Sequence, residues 1–459
     1  MVTIAGINLN VKNLPELDRE MLPLAPFFAH IHSRGQADYA VAIERSGGLT
    51  SVYRTKLLCG EGSFDANCLY VERLVKFLLW ARGGFRVVLC GDPTVSEHVK
   101  GAYLPGRPRA FDADFMSRVY EHPFEVVCVD YDRCPNESEA PRPVGRHLDG
   151  CRIGFDAGGS DRKVSAVIDG TPVYSEEVVW FPKENSDPAY HYDGIVQAMK
   201  TAAAKMPRVD AIGVSSAGIY LENRTMAASL FLKVPLPAFD AQVKDIYIRA
   251  AREIGPDIPL QVANDGDVTA LAGAMGINDG AVLGIAMGTS QAAGYIDAAG
   301  NITGWLNELA FVPVDAAPGA TIDEWSGDRG CGVKYFSQDA VIKLALRAGI
   351  ELVGSSPAEK LAEVQALMGQ GDERAAAIYR SIGVYFGHAL AQYAMFFETR
   401  HVLVLGRVVS GKGGDILLSE ANRVLAEEYA HISFRAGAPD EKARRVGQSV
   451  AAASLPATH

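Results

Sequence analysis

The chain has 459 residues, of which 48% are hydrophobic and 22% charged, and its formal net charge is −11. That length exceeds one ordinary domain and suits about two to four, with ample apolar content for their cores. The acidic balance excludes nucleic acid as a partner, because phosphate neutralisation needs clustered Lys and Arg. Residues 1–150 carry 17 Lys and Arg against 19 Asp and Glu, so no basic arm lies in the first third. Seven cysteines, an odd number without a CxxC pair, fit reduced thiols better than a disulfide framework. The opening residues Met1 to Gly6 lack a basic, apolar leader. No apolar run reaches the roughly 18 residues that a membrane span needs. A cytoplasmic protein without a membrane partner is expected.

In chain order, apolar runs at 39–44 and 49–58 flank Arg45-Ser46-Gly47-Gly48, the pattern of a β-hairpin. Helical spacing marks 71–80. Short apolar runs at 85–90 and 124–129 predict buried strands, with a helix near 95–103 between them. Residues 1–131 thus form an α/β module without a nameable chemical motif. The stretch 132–150, with Pro135, Pro141, Pro143 and mixed charges, has linker composition. Beyond it, 152–155, 163–168 and 171–180 predict a meander turning at Asp169-Gly170. A helix follows at 192–205, then buried parallel strands at 211–214 and 260–262, and a short helix at 268–275. Strands at 281–286 and 292–297 surround Gly288-Thr289-Ser290. From 338 the chain is helical until a last strand at 402–405, a glycine-rich turn and a helix at 416–429. This alternation predicts two similar α/β lobes with a cleft between them, divided as 151–272 and 273–459.

Four short stretches carry the chemistry. Gly154-Phe155-Asp156-Ala157-Gly158-Gly159-Ser160 is an apolar strand running into a turn whose backbone amides can approach a phosphate. Val262-Ala263-Asn264-Asp265-Gly266-Asp267 sets a carboxylate at a strand end. Gly288-Thr289-Ser290 is a second phosphate-sized nest, and Gly406 with Ser410-Gly411 is a third glycine turn. Their order and spacing point to phosphoryl transfer. Asp265 is then the general base that takes the acceptor hydroxyl's proton, with Asn264 holding the hydroxyl. Asp156 orders Mg²⁺ through water, Gly158, Gly159 and Ser160 meet phosphates, and Gly288, Thr289 and Ser290 meet others. Each has an ordinary structural alternative: Asn-Asp-Gly also makes a turn or helix cap, and Gly-Gly-Ser an ordinary hairpin. Asp267 fits a cap or solvated acid better than a catalyst. His388, in an apolar stretch, fits a core histidine. Asp323, Glu324 and Asp328 fit a solvated loop.

With these residues in view, 152 to about 456 resembles the ROK family of sugar kinases and repressors, within the actin-like, hexokinase-like ATPase superfamily. The resemblance rests on five stretches: Gly154–Ser160 as phosphate-1, Gly213-Val214-Ser215-Ser216-Ala217-Gly218 as the turn near the sugar, and Asn264-Asp265 with Ala270-Leu271-Ala272-Gly273; then Gly288-Thr289 as phosphate-2 and Gly406 with Ser410-Gly411 as the adenosine turn. It implies a two-lobed actin-like ATPase (ribonuclease H-like) α/β fold with an additional N-terminal α/β module. It further implies ATP and Mg²⁺ as cofactors, a small-molecule sugar as substrate and a homo-oligomer. Ser216, Gly218, Asn264 and Glu308 become substrate-binding residues; Gly406, Ser410 and Gly411 join the nucleotide site.

The departures are equally specific. Asn307-Glu308-Leu309-Ala310-Phe311 keeps the family's Glu and lacks its His. Of the family's zinc-binding cysteines Cys331 alone remains, and a structural zinc needs four ligands, so no zinc is expected. Val333 stands where the family has a sugar-contacting Glu, and Arg407 and Val408 where it has Gly. Two alternatives to a sugar kinase therefore stay open: a non-catalytic sugar sensor or pseudokinase, and an ATPase acting on another protein through residues 1–150.

Overall fold

The strands Ala37–Glu44 and Thr50–Leu57 pair antiparallel with Glu44 opposite Thr50, closing the hairpin expected around Gly47 and Gly48. In this computed structural model, which describes residues 1–139, 144–439 and 447–458, the hairpin belongs to a four-stranded sheet. Arg86–Cys90 pairs antiparallel with the first strand and parallel with Glu125–Val129. The helices Phe64–Arg82, Pro93–Ala102 and Ala110–Tyr120 complete the module. Phe64–Arg82 is buried along most of its length, including Arg73 and Lys76, charged positions that composition alone would place at a solvated face.

The chain forms two compact units that do not follow sequence order. One comprises Met1–Ala140, Ile285–Ala293 and Trp305–Ala438; the other comprises Pro141–Gly284, Gly294–Gly304 and Pro439–His459. The N-terminal module therefore shares a unit with most of the stretch 273–459 and does not stand apart from it. Part of the expected linker is also fixed: Ser138 bridges to Thr50, and Glu139 pairs with Arg45 and accepts from Ser51. Residues 140–143 of that stretch lie outside the described residues.

In the second unit a five-stranded sheet runs in the order Leu260–Asn264, Ala211–Ser216, Cys151–Ala157, Asp161–Ile168, Thr171–Val179. The first three are parallel and the last three form the expected meander, whose turn residues Asp169 and Gly170 both have positive φ. Cys151–Ala157 is buried at every position, as a central strand covered on both faces must be. One face packs Ile153, Phe155, Ile195, Met199, Val214 and Tyr247 into a single core. Against the sheet lies the short helix Gln448–Ala453. Gly154 and Gly213 admit it, since a Cβ at either would come within 1.7 Å of a carbonyl oxygen, of Ser449 and Ala452 respectively.

A further four-stranded sheet is ordered Gln291–Ile296, Val282–Met287, His401–Leu405, Ala436–Gly437, and the turn at 288–290 within it falls in the first unit. The long helices Glu373–Tyr393 and Gly411–Glu428 pack on each other in the same unit. His388, fully buried between Tyr429 and the Asn13 carbonyl, is a core histidine.

Candidate functional site

In the second unit the parallel strands end at one edge of the sheet, where their C-termini bring chemistry-bearing residues together, as open α/β sheets do. Asp156 and Ser215 are neighbours in register, and the Ser215 hydroxyl donates to the Asp156 carboxylate at 2.7 Å. Asp156 is 8% exposed, and burial, reinforced by the negative charge of Asp265, pushes its pKa up to about 6.

Of the pair Asn264-Asp265, Asn264 takes the capping role. Asn264 is the N-cap of helix Asp265–Ile277: its Oδ1 accepts from the Gly266 N–H at 2.7 Å and its amide donates to the Gly218 carbonyl at 2.7 Å. The capping duty is thus met by Asn264, while the Asp265 carboxylate at the first helical position accepts from the adjacent Gly266 N–H at 3.0 Å. Desolvation raises the Asp265 pKa above the ordinary carboxylate value, against the lowering effect of that N–H and of Lys183. Asp267 is buried and accepts from the Tyr295 N–H at 3.1 Å, a structural contact.

Gly158, Gly159 and Ser160 form the turn between Cys151–Ala157 and Asp161–Ile168 in the same unit. Ser160 donates to Asp161 at 3.1 Å. Ser216 is placed less favourably for a ligand. It is fully buried, and its hydroxyl sits between Tyr247 at 2.8 Å and Tyr220 at 2.7 Å.

The first unit holds the remaining candidates. Thr289 and Ser290 are exposed at the tip of the turn, with the Gly288 N–H donating to the Ser290 carbonyl at 3.0 Å. Gly406 has φ +107°, and a Cβ there would meet the Met287 carbonyl oxygen at 2.3 Å, so a side chain at 406 is incompatible with this strand end. Ser410 donates to the Arg407 carbonyl at 2.7 Å, and Gly411 (φ +66°) opens the following helix. Glu308 is half-buried in a turn fixed by backbone bonds: its N–H donates to Trp80 and that of Asn307 to Ala81, both at 3.0 Å.

Around Cys331 there is a charge cluster. Asp328 pairs with Arg73 (3.1 Å), Lys76 (3.6 Å) and Arg109, while Asp112 pairs with Lys76 at 2.6 Å. Burial pushes the Cys331 thiol up to about 12, so it stays protonated. The acidic residue Asp328 is therefore not in a solvated loop; three cations from the N-terminal module surround it. Among the described residues, no group of three or more His, Cys, Asp and Glu side chains is placed to hold a metal ion.

Two contributors escape local pattern. The bond of Ser215 to Asp156 becomes visible only through the register of parallel strands. Gln448 comes from the far end of the chain, and its amide nitrogen lies 3.1 Å from the Ser215 hydroxyl and 3.2 Å from the Asp265 carbonyl.

With this geometry established, comparison with solved structures defines the fold class, an α/β fold of the actin-like ATPase type. The chain resembles the ROK hexokinase from Thermus thermophilus with a TM-score of 0.52 and 19% identity, over 66% of this chain and 97% of that one. A ROK family glucokinase from Streptomyces griseus, in complex with glucose and AMPPNP, matches at 21% identity over 67% and 99% with a TM-score of 0.48. A putative N-acetylmannosamine kinase from Listeria monocytogenes matches at 16% over 66% and 97%, with a TM-score of 0.49. No family model matches the chain, and no curated protein matches it in sequence.

Proposed function

We propose that this chain is a ROK-type, ATP- and Mg²⁺-dependent kinase that phosphorylates a hydroxyl of a sugar or sugar-like small molecule. The observation that carries this is the Asp265 carboxylate. It sits at a strand end, is relieved of capping by Asn264, has a raised pKa, and lies within electrostatic reach of Asp156. A sugar hydroxyl is a poor nucleophile until a base accepts its proton. In the transfer the hydroxyl oxygen forms a bond to the γ-phosphorus, its proton passes to an Asp265 oxygen, and the bond from the γ-phosphorus to the β–γ bridging oxygen breaks, releasing ADP.

Asp156 fits a role beside Mg²⁺. A buried carboxylate whose pKa has risen to about 6 gains most from a nearby cation that holds it ionised. The absence of a protein-only cage among the described residues suits an ion held chiefly by phosphates and water. When bound, Mg²⁺ would offset the charge on the phosphoryl oxygens. Gly158, Gly159 and Ser160 are assigned to the same triphosphate; Gly288, Thr289, Ser290, Gly406, Ser410 and Gly411 to the nucleotide; and Glu308 and Gly218 to the acceptor. Ser216 supports the site from within, through its tyrosine contacts.

A second reading, a sugar sensor without catalysis, is favoured by Val333. It is 8% exposed and packs with Ala310 and Cys331, an apolar contact where a polar sugar ligand is expected from the resemblance. Calorimetric titration with AMP-PNP and Mg²⁺, repeated with glucose and N-acetylmannosamine, separates the two. Nucleotide binding that tightens with one sugar supports the kinase; sugar binding with no nucleotide binding supports the sensor.

A further inference from the structure

The segment after the meander is tied directly to the turn at 158–160. The Trp180 N–H donates to the Ser160 carbonyl at 3.1 Å, and its indole N–H donates to the Gly158 carbonyl at 2.7 Å. Two residues on, the Pro182 carbonyl lies 2.9 Å from Nε2 of His191, a fully buried residue of helix Pro188–Ala203. Lys183 therefore starts from a backbone held on one side by the turn and on the other by that helix.

Its side chain lies back over Gly159. A Cβ at Gly159 would stand 3.0 Å from Lys183 Cε and 3.1 Å from Nζ, so the ammonium rests on the turn itself. Lys183 is exposed, and no carboxylate pairs with it among the described residues. Its neighbour in charge, Lys163, differs: it lies 3.7 Å from both Asp161 and Glu177. The field of Lys183 nevertheless reaches Asp265, whose pKa it lowers. An unpaired cation resting on a turn of backbone amides, close to a candidate general base, is arranged for an anion with several oxygens.

We infer that Lys183 is a phosphate-binding residue that takes the terminal phosphoryl oxygens of a nucleoside triphosphate seated on the turn at 158–160. This rests on the kinase reading, and it adds to it a charged donor that no motif contains. In the transfer the negative charge is spread over the γ-phosphoryl oxygens, so a cation held on this turn serves both binding and the transition state.

The test is calorimetric titration of the whole protein with AMP-PNP and with ADP, each with Mg²⁺, for the wild type, Lys183→Met and Lys183→Arg. The Met variant keeps the aliphatic stem over Gly159, and unchanged thermal melting shows that its fold is intact. Lys183→Gln replaces it if it melts early. The expected result is AMP-PNP binding weakened about 10- to 100-fold in Lys183→Met, little change for ADP, and partial recovery in Lys183→Arg. Unchanged AMP-PNP affinity in Lys183→Met overturns the inference and leaves the kinase reading standing. Equal losses for AMP-PNP and ADP overturn the terminal-phosphoryl assignment. No nucleotide binding by the wild type overturns both readings together.

Discussion

The backbone N–H of Glu308 donates to the carbonyl of Trp80 at 3.0 Å, joining the candidate acceptor-binding residue to the end of an N-terminal helix. The last carbonyls of a helix have no partner within it, and here Trp80 and Ala81 find theirs in Glu308 and Asn307. Trp305 stacks on the Arg82 guanidinium, 3.3 Å from its ring centre, and Phe311 and Trp325 contact the Trp80 ring. The N-terminal module is thus a support for the 305–311 turn.

Gly83 is the weak point of that junction. Its φ is +80°, and a Cβ would lie 2.0 Å from the Tyr120 hydroxyl and 2.6 Å from Leu306. Gly83→Ala is expected to destabilise the protein by about 2–4 kcal/mol in urea denaturation, through backbone strain and overpacking. On the proposed kinase reading, where it remains folded it is expected to weaken sugar binding more than AMP-PNP binding. Equal weakening of both would mean that the junction does not position Glu308.

Asp265→Asn removes the proposed proton acceptor and keeps the shape. Turnover is expected to fall by roughly 10²–10⁴-fold, with melting temperature and AMP-PNP affinity maintained. An unchanged kcat sinks the assignment of Asp265 as base.

Asp156 carries a stability cost that depends on pH. Its pKa in the folded state, about 6, exceeds the ordinary value of 3.8, so the folded state binds the proton more tightly. The native state therefore loses stability as pH rises from about 4 through 6, by up to about 3 kcal/mol. Without nucleotide or Mg²⁺, Asp156→Asn should be more stable than the wild type at pH 8. That advantage should shrink as pH falls towards 4, as read from denaturation midpoints.

Asp328 shows the opposite sign. Burial alone would raise its pKa, but Arg73, Lys76 and Arg109 hold it well below the usual carboxylate range. Its contribution is present above the unfolded pKa and is lost as pH falls below that value. Asp328→Asn leaves buried cations uncompensated and is expected to cost about 3–5 kcal/mol at pH 7. The difference from wild type should narrow as pH approaches 3.

Much of this was legible in the residues themselves. The hairpin at 45–48, the Asp169-Gly170 turn and the turns at Gly406 and Gly411 depend on backbone conformations that only a few residue types adopt readily, and they lie where those residues stand. Alternating apolar runs likewise placed the parallel strands that end at Ser216 and Asn264. Periodicity and turn chemistry act over a few residues, so a sequence displays them directly.

The tertiary structure decided what depends on distant partners. Arg73 and Lys76 look like the polar face of a helix until Asp328, 255 positions from Arg73, is set against them. Gln448 is an unremarked amide until its helix lies across Gly154 and Gly213 and brings it to Ser215 and Asp265. That Asn264 rather than Asp265 serves as the N-cap also needed coordinates, because the sequence Asn-Asp-Gly permits either. Local conformational preference is a property of the residue, whereas burial, ion pairing and pKa are properties of the surroundings that folding assembles.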